Sequence, residues 1–178
     1  MRIISGKYRG KKLKEFDLTS TRPTLDRVKE SIFNLVQFEV QDAVVLDLFS
    51  GTGALGIESI SRGAKNTFLV DHNPKAIEII KQNLLGIDGE YSVCQMDYLS
   101  FLKSNNQKFD LVFLDPPFKT DLGINAIDNL VKNDRINLKG IIIFETSNEN
   151  DFDFDYENFE ITRRKYGSVA VYKFVKVK

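Results

Sequence analysis

Five short apolar runs alternate with more polar, helix-forming stretches through the middle of the chain. Runs rich in Val, Ile and Phe are typical of strands buried on both faces, and helical stretches between them indicate crossover connections. The runs are AVVLDLF (43–49), NTFLVD (66–71), YSVCQMD (91–97), FDLVFLD (109–115) and GIIIFE (140–145). The pattern predicts an α/β fold with a mostly parallel sheet that is covered by helices on both faces.

Helix and hairpin signals complete this outline. Asn73 as N-cap and Pro74 at the first helical position begin an amphipathic helix, and a second helix is predicted over ALGIESISRG, up to Gly63. A third amphipathic helix is predicted near residues 23–38, ahead of the sheet. The segment FEITRRKYGSVAVYKFVKV predicts two strands joined at Gly167, an antiparallel hairpin at the sheet edge that brings the sheet to seven strands.

Composition limits the class of protein. The 178 residues are 42% apolar and 28% charged, which fits one soluble domain over 1–178. No apolar run approaches the roughly 20 residues that span a bilayer, and the N-terminus lacks the apolar core of a signal peptide, so we expect a cytoplasmic protein without membrane contact. A single cysteine, Cys94, excludes an internal disulfide, and with a single histidine, His72, we expect no metal site.

The charges balance at 25 basic and 25 acidic residues but are unevenly distributed. Residues 1–14 carry cations and no acid, whereas residues 149–160 carry acids and no base. Either run can be solvated surface. The basic run also fits a folded strand pair that lays cations along a phosphate backbone, so residues 1–20 are predicted to be an RNA-binding extension. Its candidate RNA-binding residues are Arg2, Lys7, Arg9, Lys11 and Lys12.

Acidic residues recur where the predicted strands end. Asp47, Asp71, Asp97 and Asp115 lie at or near the ends of the first four runs. In open α/β sheets ligands bind beyond the carboxyl ends of the strands, so these four carboxylates are candidate site residues.

A glycine-rich loop, FSGTGALG, follows the first strand and has the G-x-G-x-x-G spacing of a dinucleotide site. Asp71 falls 20 residues after Gly51, where a ribose ligand is expected, so NAD binding is one hypothesis. A diphosphate would be repelled by the nearby Asp47, whereas S-adenosylmethionine has no phosphate and is a net cation. A rim of aspartates therefore favours S-adenosylmethionine, and a tight turn without a ligand is the third reading.

The order of these motifs resembles a known family. DLFSGTGALGIES, FLVDHNP, MDYLSFL and VFLDPPF resemble the S-adenosylmethionine-dependent N-methyltransferases, which have a Rossmann-like class I fold. MRIISGKYRGKKLK, STRPTLDRVKESIFNLV and RRKYGSVAVYKF narrow the resemblance to the enzymes, often called RsmD, that methylate the exocyclic N2 of a guanine in bacterial small-subunit (16S) ribosomal RNA. The similarity extends from residue 1 to residue 174. It implies a ribosomal RNA substrate within the small subunit or its assembly intermediate, and we expect a monomer.

The resemblance also implies roles for individual residues. Asp71 would hold the ribose hydroxyls of S-adenosylmethionine, and Asp97, with Tyr98 beside it, would accept a hydrogen bond from the adenine amino group. Arg22 and Thr24 would belong to a segment that closes over the cofactor or the target base, although that segment could equally be only a helix start. Phe49 stands where the common methyltransferase loop has its first glycine. The cofactor-binding candidates are Asp47, Phe49, Ser50, Gly51, Thr52, Gly53, Asp71, His72, Asp97, Tyr98, Arg22 and Thr24.

The stretch DPPF, at the end of the fourth strand, carries the predicted chemistry. An exocyclic guanine amine is a poor nucleophile, and the Asp115 carboxylate and Pro116 carbonyl would accept its two N–H groups and turn the nitrogen lone pair toward the methyl donor. Pro117 stiffens the turn, and Phe118 would stack on the flipped base. The catalytic candidates are therefore Asp115, Pro116, Pro117 and Phe118. A plain strand-terminating turn is the structural alternative.

Two other functions stay open. The amine-binding corner reads only an amino group, so adenine N6 or cytosine N4 of DNA or RNA is an alternative target. The chain has little sequence beyond the predicted catalytic fold, which favours a structured RNA over DNA because no separate target-recognition domain is evident. A non-catalytic or NAD-binding protein is the remaining possibility.

Overall fold

The structure, a computed structural model, describes residues 1–16 and 26–178. These residues fold around a seven-stranded sheet. In chain order its elements are α1 (Asp26–Leu35), β1 (Val44–Asp47), α2 (Ala54–Ser61), β2 (Asn66–Asp71), α3 (Pro74–Asn83), β3 (Tyr91–Gln95), α4 (Tyr98–Ser104), β4 (Phe109–Leu114), α5 (Leu122–Lys132), β5 (Ile136–Ser147), β6 (Phe159–Tyr166) and β7 (Val169–Lys176). The strand order is β3-β2-β1-β4-β5-β7-β6. The predicted Rossmann-like α/β fold is confirmed.

The strand order reverses between β1 and β4. β1 pairs in parallel with both β2 and β4, and Asp47 lies opposite Phe113, so the first and fourth strands end side by side. A crevice opens outside the carboxyl ends of parallel strands at such a reversal. The edge where β1, β2 and β4 end, called the rim below, is therefore the place where the fold favours a ligand.

The fifth strand is longer than the sequence pattern predicts. It begins at Ile136 rather than Gly140, and its pairing with β4 shifts register between Phe109 and Leu111. Lys139 has a positive φ of 65°, and a Cβ on Gly140 would lie 2.7 Å from the Asn137 carbonyl oxygen. This local irregularity breaks the apolar run, which is why residues 136–139 carry no clear strand signal.

The predicted helices and the edge hairpin are present. Asn73 caps α3 by accepting a hydrogen bond from the Lys75 amide, as its sequence predicts. The helix predicted near residues 23–38 is α1, whose described part begins at Asp26. Two helices that the sequence analysis did not locate, α4 and α5, pack on the face opposite α1. None of the described helices is long and apolar enough to cross a membrane.

The acidic run near the C-terminus alternates acids with aromatic residues. Phe152 and Phe154 turn inward against Phe144, Tyr172 and Phe174, with ring centroids between 5.0 and 6.3 Å apart in the closest of these pairs. The intervening acids remain exposed, namely Asp151, Asp153, Asp155 and Glu157. Residues 151–157, called the covering segment below, bury large aromatic rings against the sheet and present an acidic outer surface.

The first 13 residues form a hairpin rather than two full strands. Its two arms meet at a single bridge between Arg2 and Lys12, supported by hydrogen bonds from the Ile3 amide to the Lys11 carbonyl and from the Leu13 amide to the Met1 carbonyl. Gly6 and Gly10 supply the positive φ values of its turn, 86° and 87°. The predicted strand pair thus exists only as one bridge within a tight hairpin.

A buried carboxylate attaches this hairpin to the sheet. Glu58 of α2 is fully buried and accepts hydrogen bonds from the amides of Ile4 (2.8 Å) and Ser5 (3.0 Å) and from Arg62 Nε (2.8 Å). Its other neighbour is the buried ammonium of Lys29 in α1, 3.2 Å away. Burial lowers the pKa of Lys29, and the Glu58 charge opposes that shift. Glu58 therefore links the hairpin, α1 and α2.

We predict that Glu58→Gln lowers the free energy of unfolding by about 3 to 5 kcal/mol. The amide keeps the shape of the side chain but leaves the buried Lys29 without its counter-charge, which is a costly defect. Urea unfolding followed by circular dichroism measures the loss. Glu30→Gln, on the exposed side of α1, is the matched control and should change stability by no more than about 0.5 kcal/mol. Equal effects of the two substitutions would contradict this role of Glu58.

Candidate functional site

The glycine loop turns the chain sharply from β1 into α2. Gly51 and Gly53 have φ values of 55° and 80°, in the left-handed region that side chains disfavour. The Gly53 amide donates to the Ser50 carbonyl at 2.7 Å, and the Ser50 hydroxyl donates to the Asp47 carbonyl at 2.6 Å. The loop is held by its own hydrogen bonds, with its Gly51 backbone facing the rim.

Asp47 lies behind this loop and is 1% exposed. Its Oδ2 accepts a hydrogen bond from the Gly56 amide at 2.9 Å, and a Cβ on Gly56 would lie 2.8 Å from the Leu69 side chain. The third glycine of the motif therefore allows α2 to approach β2 and the Asp47 carboxylate closely. Burial, reinforced by the charges of Asp115 and Asp71, raises the pKa of Asp47 to about 7.

Asp71 ends β2 and faces the glycine loop. Its Oδ2 accepts a hydrogen bond from the Gly51 amide at 2.9 Å, and its Oδ1 accepts one from the Asn73 amide at 2.8 Å. The neighbouring His72 is largely exposed, with Nδ1 3.7 Å from Asp71 Oδ1. The carboxylate is thus oriented by two backbone donors before any ligand binds.

Asp97, which follows β3, lies outside this arrangement. Its carboxylate caps α4 by accepting hydrogen bonds from the Ser100 amide (3.0 Å) and hydroxyl (2.5 Å), which lower its pKa. The next residue, Tyr98, packs its ring on that of Phe49, with centroids 5.7 Å apart. Phe49 therefore connects the glycine loop to the start of α4.

The DPPF corner follows β4 directly. Asp115 and Phe118 are half-buried, Pro116 is buried and Pro117 is exposed. The Pro117 carbonyl accepts a hydrogen bond from Thr120 Oγ1 at 2.7 Å, which fixes the turn after the second proline.

Gly123 of α5 supports this corner from behind. A Cβ at this position would lie 2.3 Å from Phe144 Cε2 and 2.9 Å from Pro116 Cγ. Only a glycine allows α5 to pack this closely on the first proline.

The glycine loop, Asp71 and the DPPF corner line one open cleft of about 1030 Å³ at the rim. The cleft brings together candidates that are distant in sequence, and it also includes residues that the sequence analysis did not single out. Its lining residues are Glu15, Phe16, Phe49, Gly51, Asp71, His72, Asn73, Lys75, Ala76, Glu78, Ile79, Gln82, Asp115, Pro116, Pro117 and Phe118. Asp47, Ser50, Thr52, Gly53, Asp97 and Tyr98 lie outside this lining, and Arg22 and Thr24 lie outside the described residues.

Asn83 is a further residue that the sequence analysis missed. It is buried, and its Nδ2 donates to the Thr52 carbonyl (2.9 Å) and the Lys14 carbonyl (3.1 Å), while its Oδ1 accepts from the Lys14 amide (2.7 Å). It joins the glycine loop, α3 and the chain leading to Glu15 and Phe16. A lone Asn near a helix end gives no sequence signal for such a role.

The cations of the N-terminal hairpin differ in their surroundings. Lys7 contacts Asp88 at 3.4 Å, and Lys11 donates to the Leu85 carbonyl. Arg9 and Lys12 are exposed and make no side-chain hydrogen bond or ion pair with another described residue.

Comparisons with known proteins place the chain beside a set of close relatives. A family model described as "Conserved hypothetical protein 95" matches residues 1–175. "Ribosomal RNA small subunit methyltransferase D" of Escherichia coli strain K12 is 33% identical over 174 residues, covering 97% of this chain and 88% of that protein. The protein of the same name from Haemophilus influenzae is 34% identical over 178 residues, covering 97% and 92%. The solved structure of yhhF from Escherichia coli is similar with a TM-score of 0.89 and 32% identity, covering 99% and 98%.

The buried Asp47 predicts a pH dependence of stability. Its folded-state pKa of about 7 lies above the ordinary aspartate value, so the stability due to its protonated form is present below about pH 4 and is lost as the pH rises through 7. From pH 5 to pH 8 this component should fall by about 2 to 3 kcal/mol.

Asp47→Asn should remove that component, because its amide is neutral at every pH. Denaturant unfolding of both proteins at a series of pH values measures the difference. Asp153→Asn, an exposed acid of the covering segment, is the control and should follow the wild-type profile. Parallel profiles for wild type and Asp47→Asn would show that Asp47 is ionised throughout.

Proposed function

This chain belongs to the conserved hypothetical protein 95 family, and from that premise we propose that it transfers a methyl group from S-adenosylmethionine to the exocyclic N2 amine of a guanine in small-subunit ribosomal RNA. The resemblance to the RsmD enzymes is confirmed by relatives named ribosomal RNA small subunit methyltransferase D. The observation that carries the proposal is that Asp71 and the DPPF corner line the same cleft. That the chain acts as a monomer in the cytoplasm stays a prediction.

The hydrogen bonding of the glycine loop supports a cationic cofactor over NAD. The Gly51 amide, which a diphosphate would use at a dinucleotide site, already donates to the Asp71 carboxylate. A phosphate placed there would compete with a carboxylate and be repelled by it. A ligand with positive charge and ribose hydroxyls meets acceptors instead, because a carboxylate has lone pairs free beyond those used by two amides.

The cleft residues fit S-adenosylmethionine in two parts. Gly51 and Asp71 would hold the ribose and the methionine portion, and Asp115 would lie beside the sulfonium, whose positive charge it complements. When bound, S-adenosylmethionine supplies a methyl group activated by its sulfonium. Tyr98 and Asp97 would contact the adenine from outside the main cleft, next to Phe49.

The corner itself would prepare the amine. The Asp115 carboxylate and the Pro116 carbonyl accept its two N–H groups, and both belong to a turn whose shape two prolines and the Thr120 hydrogen bond restrict. As the N–C bond forms and the S–C bond breaks, the nitrogen becomes acidic and its proton passes to Asp115 or to water. Phe118 would stack on the extruded base, a contact worth about 1 to 3 kcal/mol, which offsets part of the cost of flipping.

The product identifies the reaction. We predict that small ribosomal subunits from cells lacking this protein, incubated with it and isotopically labelled S-adenosylmethionine, acquire label in N2-methylguanosine. Nucleoside mass spectrometry after RNA digestion measures it. Label in N6-methyladenosine or N4-methylcytidine would assign the alternative amino target, and absence of label would contradict the proposed function.

Asp115→Ala gives the matched mechanistic arm of this experiment. It should abolish methyl transfer, because one of two amine acceptors is lost. Calorimetry should show S-adenosylmethionine affinity lowered by no more than a few fold, because the Asp115 charge beside the sulfonium is half-exposed and screened. Asp121→Ala is the control, since Asp121 is exposed, lies close in sequence and makes no side-chain cap to α5. Full activity of Asp115→Ala would remove it from the reaction.

The N-terminal hairpin supplies a separate prediction on RNA binding. If Arg9 and Lys12 contact phosphates, Arg9→Gln/Lys12→Gln should reduce the slope of log affinity against log salt by about 1.4 for single-stranded RNA. Lys7→Gln/Lys11→Gln removes the same charge from side chains that already have partners and should change the slope less. Fluorescence anisotropy over a salt series provides both values. An unchanged slope in the first variant would assign the hairpin cations to solvated surface.

A further inference from the structure

The hairpin of β6 and β7 carries three consecutive cations, Arg163, Arg164 and Lys165, which the functional site does not use. The first of them is committed to the fold. The Arg163 guanidinium donates to the carbonyls of Asn148 (3.1 Å) and Asn150 (2.8 Å) and lies 5.5 Å from the centre of the Tyr172 ring. Arg163 thereby anchors the covering segment.

The other two cations are available. Arg164 and Lys165 are exposed, and neither side chain makes a hydrogen bond or an ion pair with another residue in the part of the chain that the structure describes. Exposed cations on an edge strand can serve only to discourage sheet-to-sheet association. Their position relative to the DPPF corner favours a different role.

Strand register places Arg164 at the level of the corner. Leu114 pairs with Phe144, and the residue after Phe144, Glu145, lies opposite Val171, which in turn lies opposite Arg164. Arg164 is therefore one residue beyond the level of Leu114, as Asp115 is. With three strand spacings of about 4.8 Å between β4 and β6, Arg164 is about 14 Å from the corner along the rim.

A groove runs beside Arg164. It has a volume of about 560 Å³ and lies between α1 and the face of β6 and β7 that is turned toward α1. Its lining is mainly polar, and it consists of Ser31, Asn34, Leu35, Glu160, Thr162, Arg164, Tyr166, Lys173 and Val175. Lys173 is already bound, since its Nζ donates to the Leu35 carbonyl at 2.7 Å. Arg164 is thus the exposed cation of the groove, and its side chain has no hydrogen bond to another described residue.

The charge distribution shows which part of the groove suits an anion. Glu160 pairs with Val175 and lies four residues before Arg164 in β6, toward the strand ends opposite the rim. Four residues of extended chain span about 13 Å, so the acid and the cation occupy opposite ends. The acids of the covering segment belong to the other face of the sheet, where Phe152 and Phe154 pack. An anion is therefore favoured at the rim end of the groove.

We propose that this rim end binds backbone phosphates of the RNA that flank the target guanine through Arg164. Lys165 points to the opposite face of β6, and it would contact the same RNA strand only where that strand passes the hairpin tip. The inference rests on the proposed function and adds a second phosphate contact beside the N-terminal hairpin. Ser31, Asn34 and Thr162 provide neutral donors along the groove floor. An arginine fork matches phosphate oxygens, and a strand that leaves the DPPF corner along the rim reaches it within a few nucleotides.

The test uses Arg164→Gln/Lys165→Gln in the full chain with two readouts. Binding of a short, mixed-sequence, fluorescein-labelled single-stranded RNA should lose about 1.4 from its log-log salt slope. Methylation of small ribosomal subunits should show a KM raised about fivefold or more at physiological salt, with kcat unchanged, because neither side chain touches the reacting atoms. A slope and a KM equal to those of wild type would overturn the proposal.

Two further variants separate the groove from general charge. Lys139→Gln/Lys178→Gln makes the same charge change at the opposite edge and should leave the slope and the KM unaltered; an equal effect would show that only net charge matters. Glu160→Gln removes the acid from the far end of the groove and should tighten RNA binding at low salt, where a charge about 13 Å away is little screened; no change or weaker binding under those conditions counts against a phosphate path there. If the variants change the salt slope as expected but the wild-type protein forms no methylguanosine, the proposed function is contradicted and the proposed phosphate contact is retained.

Discussion

The N-terminal part of the structure depends on the contacts that the Glu58 carboxylate makes. It is buried and has four donors around it, two backbone amides of the hairpin, the guanidinium of Arg62 and the ammonium of Lys29. A buried charge of this kind is stable only while every partner is present. The same α2 that carries Glu58 begins at the glycine loop, so one short helix transmits the position of the loop to the hairpin and to α1. The residues that lead from the hairpin into the cleft, Glu15 and Phe16, depend on this anchoring and on Asn83.

The charged side chains of the covering segment and of the two hairpins lie on different surfaces of the protein. The acids Asp151, Asp153, Asp155 and Glu157 are the outer positions of a segment whose inner positions are aromatic, so they belong to the face of the sheet that the segment covers. The exposed cations Arg9, Lys12 and Arg164 belong to two hairpins, and Arg164 lies on the face of its hairpin that the segment does not cover. A chain of zero net charge thereby keeps the acids of this segment and the cations proposed to contact RNA on different surfaces. Separation of this kind permits a polyanion to bind without a net positive charge, because the local field, screened within about 10 Å, governs the contact.

Most of the fold could be predicted because its signals are local. Apolar runs, the Asn73 cap and the turn at Gly167 each act through neighbouring residues, and the strands, helix and hairpin that they predict are present. The long fifth strand was underestimated because Lys139 and Gly140 interrupt its pattern, and the hairpin anchor was missed because Glu58 looks like an ordinary helical acid until its burial is known. The glycine loop and the DPPF corner were located from their motifs, whereas Asn83 and Gly123 act through contacts across the fold that no short window of sequence contains.

The four strand-end acids show why motif spacing and electrostatics must be considered together. Spacing alone treats them as equivalent, yet Asp47 is buried with a raised pKa and Asp97 is exposed as a helix cap. Asp71 and Asp115 line the cleft, and Asp47 lies close enough for their charges to contribute to its pKa. A cation placed between Asp71 and Asp115 would therefore also lower the pKa of Asp47, because it offsets the charges that help to keep Asp47 protonated. The buried acid would then contribute to the proposed preference for a positively charged methyl donor by losing its proton as the donor binds, without contacting the donor.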